Sequence, residues 1–465
     1  MRSAPDVLWV FLALPLVMAL GLSVALLAAP GQPLLRHERA RLLALACAAG
    51  LLVNYAIGML VAGLRWVLLA DVAIAGAALS WAVCLHRGVL AEMFAMGWLR
   101  WLSVCALLLL AAGAVLFEPL HAWDARTIWF FAAKRIFFGG GVDGAADWTL
   151  PAYGFSHADY PKLLPLVAAQ FAEAWGVWNE YIPKAGLLVL LAPAALGLAG
   201  LAPRFGLSLA VLAAPLLLST RDYLWNGYLD TYLAIYGVLA MLYFARWLSS
   251  SAPLDLALGG TFVGIAVNLK NEGALLTVCI GACLVAWLVL ARGGPAMLRW
   301  RTWPAGAWLA LLLPWIGFAA WALTRHQWQL ANDLQLGTGS SLQRVWQRLD
   351  EGQLAVIAKA ILVKSDIANA LGLLLVSGAL ARVLRVRIPA SAWFPAAVAL
   401  LYSAGLVFVY LATPNDLAWH LASSVDRTML LATVGFLGST YLVLEAMEGR
   451  DPVHSASPKT TGLQT

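Results

Sequence analysis

The sequence predicts an all-α, polytopic integral membrane protein, and three observations lead to this fold class. Of its 465 residues, 62% are hydrophobic and only 12% are charged, whereas soluble domains contain roughly 45–50% apolar and about 25% charged residues. The apolar residues lie in long runs that are separated by short polar segments. Runs of roughly 17–25 residues are long enough to cross the hydrocarbon core of a bilayer as helices.

About thirteen apolar runs are candidate spanning helices by this length rule. They lie near 7–29, 42–63, 66–85, 102–117, 182–202, 206–220, 228–246, 253–269, 273–291, 303–324, 360–381, 391–412 and 428–446. The first run is longer than the apolar core of a signal peptide, so we expect a spanning helix there. The stretch 161–176 is short, contains prolines and carries Glu173, and it is predicted to lie in the membrane interface.

Basic residues predict the orientation of these helices, because arginine and lysine in short loops stay on the cytoplasmic side. With the N-terminus outside, the following arginines all fall in the cytoplasm: Arg36, Arg39, Arg41, Arg87, Arg100, Arg204, Arg246, Arg292, Arg299, Arg301, Arg382, Arg385 and Arg387. The tail 447–465, with Arg450 and Lys459, is then cytoplasmic and predicted to be disordered. The net charge of +6 therefore reflects membrane orientation, and no nucleic-acid partner is expected.

On this orientation, five polar clusters gather on the external face. They are 118–162, 221–230, 268–273, 325–359 and 413–428. Each could be a solvated loop, but titratable groups at a membrane edge are costly unless they pair, bind or react. The first cluster opens with FEPLHAWDARTIWFF, in which Asp124 stands between Trp123 and Arg126. We therefore expect a functional site on this face.

The order of short motifs in these clusters resembles the GT-C membrane glycosyltransferases. A helix ends in a Trp-Asp loop, and it is followed by HADYPKLLP at 157–165, NGYLD at 226–230, LKNEG at 269–273 and HLASSVDR at 420–427. The most similar type is the bacterial relatives of protein O-mannosyltransferases and of lipid A aminoarabinose transferases. The resemblance implies a catalytic core over 101–446, with external loops 118–181, 325–359 and 413–427. Residues 1–100 would be an N-terminal extension of unknown role.

Enzymes of this kind move a sugar from a polyprenyl-phosphate donor to a periplasmic glycan, lipid or protein, usually with inversion. The resemblance implies that Asp124 is the base, and that Asp159 and Asp230 support it. Lys270 and Arg427 would hold the donor phosphate. The remaining candidates are Lys162 and His420 for the phosphate, and His157, Tyr160, Arg126 and Glu272 for other contacts. The implied location is a bacterial inner membrane, with the N-terminus periplasmic and the C-terminus cytoplasmic.

A divalent metal, Mg or Mn, is an open question at this point, with Asp124, Asp159 and His157 as the ligands if one binds. Structural roles are open as well. Asp124 also fits the N-cap of a helix that begins near Ala125. His157 fits a loop hydrogen bond, because no second histidine stands four residues later.

Two further alternatives concern other parts of the outer face. Tyr160 and the tryptophans Trp123, Trp129, Trp148 and Trp178 are typical of an aromatic belt at the membrane surface. Lys270 and Glu272 are close enough in sequence to pair only with each other.

The sequence bears on several other functions. The phosphate-binding GxxxxGK[ST] loop, the Rossmann glycine pattern and HExxH are all absent, which argues against nucleotide-driven pumps, dehydrogenases and zincins. A transporter or flippase of a lipid-linked sugar would need polar residues near the membrane centre, of which Asp71 is the clearest. An oligosaccharide polymerase or ligase would use a late external loop rich in arginine and histidine, and 325–359 has Arg325, His326, Arg344 and Arg348.

Overall fold

The computed structural model describes residues 5–29, 34–201, 205–290, 300–330, 332, 334 and 339–449. In these ranges every regular element is helical, which confirms the all-α prediction. The α-helices are α1 Pro5–Leu20, α2 Leu22–Ala28, α3 Arg36–Leu60, α4 Leu64–Leu85, α5 Arg87–Phe94, α6 Trp98–Phe117, α7 Phe130–Gly139, α8 Leu163–Trp175, α9 Ala185–Leu201, α10 Leu207–Leu224, α11 Asp230–Ser250, α12 Pro253–Leu269, α13 Glu272–Leu290, α14 Ala305–Gln327, α15 Gly339–Asp350, α16 Gln353–Lys364, α17 Ile367–Val383, α18 Phe394–Ala412, α19 Leu417–Thr428 and α20 Leu430–Glu448. Arg204, Arg292, Arg299 and the predicted tail from residue 450 lie outside the described residues.

Shorter helical turns complete the segments between these helices. The first polar segment holds a π-helical turn and two 3₁₀ turns: Ala125–Trp129, Asp143–Thr149 and Pro151–Ser156. The late polar segments are also largely helical, since α15 and α16 lie within 325–359 and α19 lies within 413–428. The sequence interpretation treated both late segments as loops.

Within the described ranges, nine helices are long and apolar enough to span a membrane, or ten if the bent pair α16 and α17 is one span. They are Arg36–Leu60, Leu64–Leu85, Trp98–Phe117, Ile182–Leu201, Asp230–Ser250, Glu272–Leu290, Ala305–Gln327, Ala390–Ala412 and Leu417–Glu448. The chain is thus a multi-pass membrane protein by the length and composition of its helices.

The other four predicted runs form shorter or broken helices. The run 7–29 is divided at Gly21 between α1 and α2, where a Cβ would lie 2.0 Å from the carbonyl oxygen of Ala46. The runs 206–220 and 253–269 are helices below the length of a full span, and 360–381 falls in the pair that bends by 73°. A count of thirteen spans therefore stays a prediction.

The core of the bundle is built from helices that are apolar around their whole circumference. α3, α9, α11, α12 and α20 are largely buried, whereas α4, α6 and α13 expose most of their length outward. α3 packs against α9, α12 and α14. The N-terminal helix α3 is therefore packed into the same core as these later helices, and the division at residue 100 stays a prediction.

α8 corresponds to the stretch that was predicted to lie in the membrane interface. Its residues from Leu163 to Ala172 are buried on every side, whereas an interfacial helix exposes a polar face. The physical reason is its composition: apolar side chains surround this helix, and a helix that is hydrophobic all round is buried. α8 is thus packed inside the bundle, and it carries the loop 157–162 at its N-terminal end.

The two ends of the bundle differ in chemistry. At one end, arginines are tied to helix termini: Arg41 donates to the carbonyl of Gly200, Arg100 donates to that of Ala199, and Arg246 pairs with Glu445. These are three of the arginines that the sequence places in the cytoplasm. The other end, called the site end below, carries the polar clusters.

Candidate functional site

The five polar clusters meet around one cavity of about 470 Å³ at the site end. This convergence was predicted from the sequence. Eight of the candidate residues line the cavity: Asp124, His157, Tyr160, Asp230, Lys270, Glu272, His420 and Arg427. They come from helix ends and short breaks between helices, where the apolar runs stop.

Asp230 is the central anion of this cavity. It is the first residue of α11 and only 4% exposed. One carboxylate oxygen lies 2.7 Å from the Lys270 ammonium, and the other lies 3.6 Å from the Arg427 guanidinium. Asp230 therefore holds both cations in position, and it is itself buried beneath them.

Lys270 occupies the short break between α12 and α13. Its ammonium also lies 2.9 Å from Glu272, so the predicted pair exists, as part of a larger cluster. Burial alone would lower the pKa of Lys270, but the carboxylates of Asp230 and Glu272 outweigh that effect and raise it above the usual range. Lys270 is thus a permanently charged cation.

Arg427, near the end of α19, joins this cluster to Asp124. Its Nη1 lies 2.5 Å from the Asp124 carboxylate, and its Nη2 donates to the backbone oxygen of Ser423 at 3.0 Å. The guanidinium also lies over the Tyr228 ring, 4.5 Å from the centroid. Two of these partners, Asp124 and Tyr228, come from distant parts of the chain, and Ser423 lies one turn earlier in the same helix. Together they hold the arginine in one orientation.

The Asp124 side chain makes no N-cap hydrogen bond. Its carboxylate pairs with Arg427 instead, so the alternative N-cap role is not observed. The turn that follows, Ala125–Trp129, is π-helical. Such widened turns are rare and frequently occur at functional sites.

Asp159 lies behind the cavity wall and is 1% exposed. Its carboxylate accepts hydrogen bonds from Asn271 at 2.7 Å and from Asn332 at 3.0 Å. Both asparagines line the cavity. The geometry therefore gives Asp159 a positioning role through these amides, and no direct contact with a ligand in the cavity.

Lys162 is also buried away from the cavity. Its ammonium lies 4.7 Å from the ring centroid of Trp148 and 4.6 Å from that of Trp321, and it donates to the carbonyl of Ala158. Burial lowers the pKa of Lys162 to about 7, against the opposite effect of nearby Asp159. The structure gives this lysine a role in fixing the loop 157–162 and does not support the predicted contact with donor phosphate.

Aromatic rings brace the same loop. The rings of His157 and Tyr160 stack at 5.1 Å, and Tyr160 stacks on Trp129 at 5.3 Å. Trp129 and Trp148 are buried, at 2% and 3% exposure, so these two do not form the predicted aromatic belt. Trp123 is 69% exposed and lines the cavity, where a flat ring can stack on a sugar.

One wall of the cavity comes from α19, whose N-terminus is capped by Asp416. His420 packs edge-on against Tyr410, and the Tyr410 hydroxyl lies 3.0 Å from Ser424 and 2.8 Å from Thr428. These hydroxyl groups were missed in the sequence, because Tyr410 is hidden in an apolar run. Tyr228 and Asn271 lie inside the NGYLD and LKNEG motifs, next to the charged residues of the site.

The candidate metal ligands are not brought together as a coordination set. Asp124 pairs with an arginine, and Asp159 accepts from two amides. In the part of the chain that the structure describes, no group of three or more His, Cys, Asp or Glu side chains could hold a metal ion. These residues therefore do not fit a divalent metal.

Arg126 lies outside the cavity. It lines a separate groove together with Lys134 and Glu180. Arg126 therefore does not share the cavity lined by Lys270 and Arg427.

The charges around the cavity are nearly balanced. Among the described residues, two cations, Lys270 and Arg427, pair with three carboxylates, those of Asp124, Asp230 and Glu272. One carboxylate of this set is therefore in excess. Such a cluster can accept a proton from one ligand and still present cations to another. No protein-family model, curated protein or solved structure matches the chain.

Proposed function

We propose that the chain is an integral membrane glycosyltransferase of the GT-C type. It transfers a sugar from a polyprenyl-phosphate donor to a hydroxyl of a glycolipid, polysaccharide or protein at the periplasmic face of a bacterial inner membrane. The observation that carries the proposal is the cavity in which Asp124 adjoins the cations Lys270 and Arg427. The reaction needs a base, cations for the leaving phosphate, and a site where apolar helices end.

Asp124 is the proposed base. The acceptor oxygen attacks the anomeric carbon of the sugar, and its proton passes to the Asp124 carboxylate. The bond from that carbon to the phosphate oxygen breaks, and the electron pair stays on the phosphate. A single displacement of this kind inverts the anomeric configuration, as the resemblance to GT-C enzymes implies.

Arg427 links the base to the leaving group. In the free protein its Nη1 is bound to Asp124 at 2.5 Å. A donor phosphate competes with Asp124 for this nitrogen, and once the phosphate takes it, Asp124 is free to accept a proton. Because the phosphate gains negative charge as the bond breaks, the cations stabilise the transition state more than the ground state.

Asp230 is then a positioning residue, since it is buried behind both cations. It holds Lys270 and Arg427 at fixed separation before the donor binds. Preorganised charges of this kind need no rearrangement during the reaction, which is why they lower the barrier.

The polymerase or ligase alternative depends on free arginines in 325–359. Arg348 donates to the backbone oxygens of Tyr410 and Thr413, both at 2.9 Å, and Arg344 donates to that of Ala412 at 2.8 Å. These donors satisfy carbonyls at the end of α18. Because Arg344 and Arg348 are bonded to the backbone, they are not free to bind a pyrophosphate. This favours a monophosphate donor, held by Lys270 and Arg427, over the lipid-pyrophosphate donor of a polymerase or ligase.

The proposal is tested in the envelope of the source bacterium. Mass spectrometry of glycans and lipids from a strain that lacks the gene should show the loss of one sugar-bearing species. A plasmid with the wild-type gene should restore that species, and one with Asp124→Asn should not. Identical envelopes in the deleted and parent strains, or full restoration by Asp124→Asn, would contradict the proposal.

A further inference from the structure

A second cavity, of about 390 Å³, lies between α1, α3, α4 and α8. It shares no lining residue with the cavity at the site end. Most of its wall is apolar, and at its mouth Leu12, Val72 and Leu79 are 47%, 56% and 47% exposed. Since these residues lie on the outer surface of a membrane bundle, the cavity opens toward lipid.

Three buried polar side chains stand in this apolar wall. Asp71, Asn54 and Gln170 are 1%, 5% and 7% exposed. Asn54 and Gln170 both donate to the same oxygen of Asp71, Oδ2, at 2.7 and 3.4 Å. The other Asp71 oxygen and the Asn54 side-chain oxygen are buried without a hydrogen-bond partner.

The described residues provide no counter-charge for Asp71, because no lysine or arginine among them forms an ion pair with it. Arg65 lies in the first turn of the same helix, about 9 Å along its axis from Asp71 at the usual helical rise, and it pairs with Glu173. Buried polar groups in a membrane commonly join helices by hydrogen bonds. Hydrogen bonding between helices explains why Asp71 Oδ2 accepts from Asn54 and Gln170. It does not explain the free oxygens of Asp71 and Asn54, because a buried acceptor without a donor is costly.

We propose that this cavity binds an amphipathic primary amine. The apolar body of the ligand fills the cavity, and its ammonium group donates to the free oxygens of Asp71 and Asn54. An ammonium carries three donors and one positive charge, so it supplies both acceptors and the missing counter-charge. An alcohol of the same length has one donor and no charge. This site does not depend on the proposed glycosyl transfer.

The test uses the purified full-length protein in lipid nanodiscs and a diazirine-bearing dodecylamine as the probe. We expect saturable photolabelling of peptides from α4 or α8. Unlabelled dodecylamine should compete at least tenfold better than dodecanol, because only the amine pairs with the carboxylate. Equal competition by the two compounds, or the absence of saturable labelling on these helices, would overturn the proposal.

Two variants locate the interaction. Asp71→Asn keeps the size and the hydrogen bonds between helices but removes the charge, so labelling by the amine should fall at least tenfold. Leu69→Asn, on the exposed face of the same helix, is the matched control and should label like the wild type. Wild-type labelling of a folded Asp71→Asn protein would also overturn the proposal. The competition with wild-type protein decides the matter if that variant does not fold.

Discussion

Substitution of Arg427 should reduce sugar transfer in graded steps, because its two amino groups have different partners. Lysine keeps the positive charge but has no planar fork, so it cannot reach the Asp124 carboxylate and the Ser423 carbonyl together. A charge-assisted contact is worth about 1.5–3 kcal/mol, which corresponds to about tenfold to 150-fold in rate. We therefore expect a loss in this range for Arg427→Lys.

Arg427→Ala removes both contacts and leaves Asp124 without a cation, so its transfer should be lower than that of the lysine variant by a further factor of about ten or more. The assay is transfer of radiolabelled sugar from a polyprenyl phosphate to crude envelope acceptors at equal protein concentration. Arg126→Lys, outside the cavity, is the control and should retain wild-type transfer. Wild-type rates for Arg427→Lys, or equal rates for the two Arg427 variants, would refute the proposed grip on phosphate.

Three further predictions concern the frame of the site. Gly227→Ala should lower the free energy of unfolding by about 1–3 kcal/mol and reduce activity. The reason is that a Cβ at this position would lie 2.7 Å from the Ala125 side chain, and that the backbone has a φ of +91°. In thermal unfolding the control Gly113→Ala, whose added Cβ would meet no atom within 4 Å, should behave as wild type. Burial lowers the pKa of Lys162 from 10.5 to about 7 in the folded protein. Between these pH values the unfolded chain binds more protons than the folded protein, so the free energy of unfolding should rise with pH from about 7 to 10.5. This rise should be absent in Lys162→Met. Arg348→Ala should lower the melting temperature, because it leaves carbonyls at the end of α18 unpaired; an unchanged melting temperature would show that water replaces the arginine.

The helical class and the meeting of the polar clusters could be predicted from the sequence, since both follow from where apolar runs begin and end. Asp230 begins the helix α11 and Lys270 directly follows α12, and their charged groups lie 2.7 Å apart. The number of spans was harder to predict, because it depends on breaks such as Gly21, where a close helix contact divides one apolar run.

The direction of individual side chains could not be predicted. Lys162 follows a Tyr-Pro pair at the edge of the site, and it turns inward because Trp148 and Trp321 form a cation-binding space there. Those tryptophans are distant in sequence, so no local pattern indicates the contact. The burial of α8 could have been predicted from the sequence, because its apolar residues leave no polar face before Glu173.

The most direct test of the central claim is the product formed by the reconstituted protein. Wild-type protein in liposomes, given a radiolabelled sugar on a polyprenyl phosphate and an envelope extract, should form a new labelled glycoside. Asp124→Asn should still bind the donor, but its turnover should be lower by about 10²–10⁴-fold, the usual contribution of a general base. Movement of the labelled lipid across the bilayer by wild-type protein, without a new glycoside in any envelope fraction, would contradict the account and indicate a transporter.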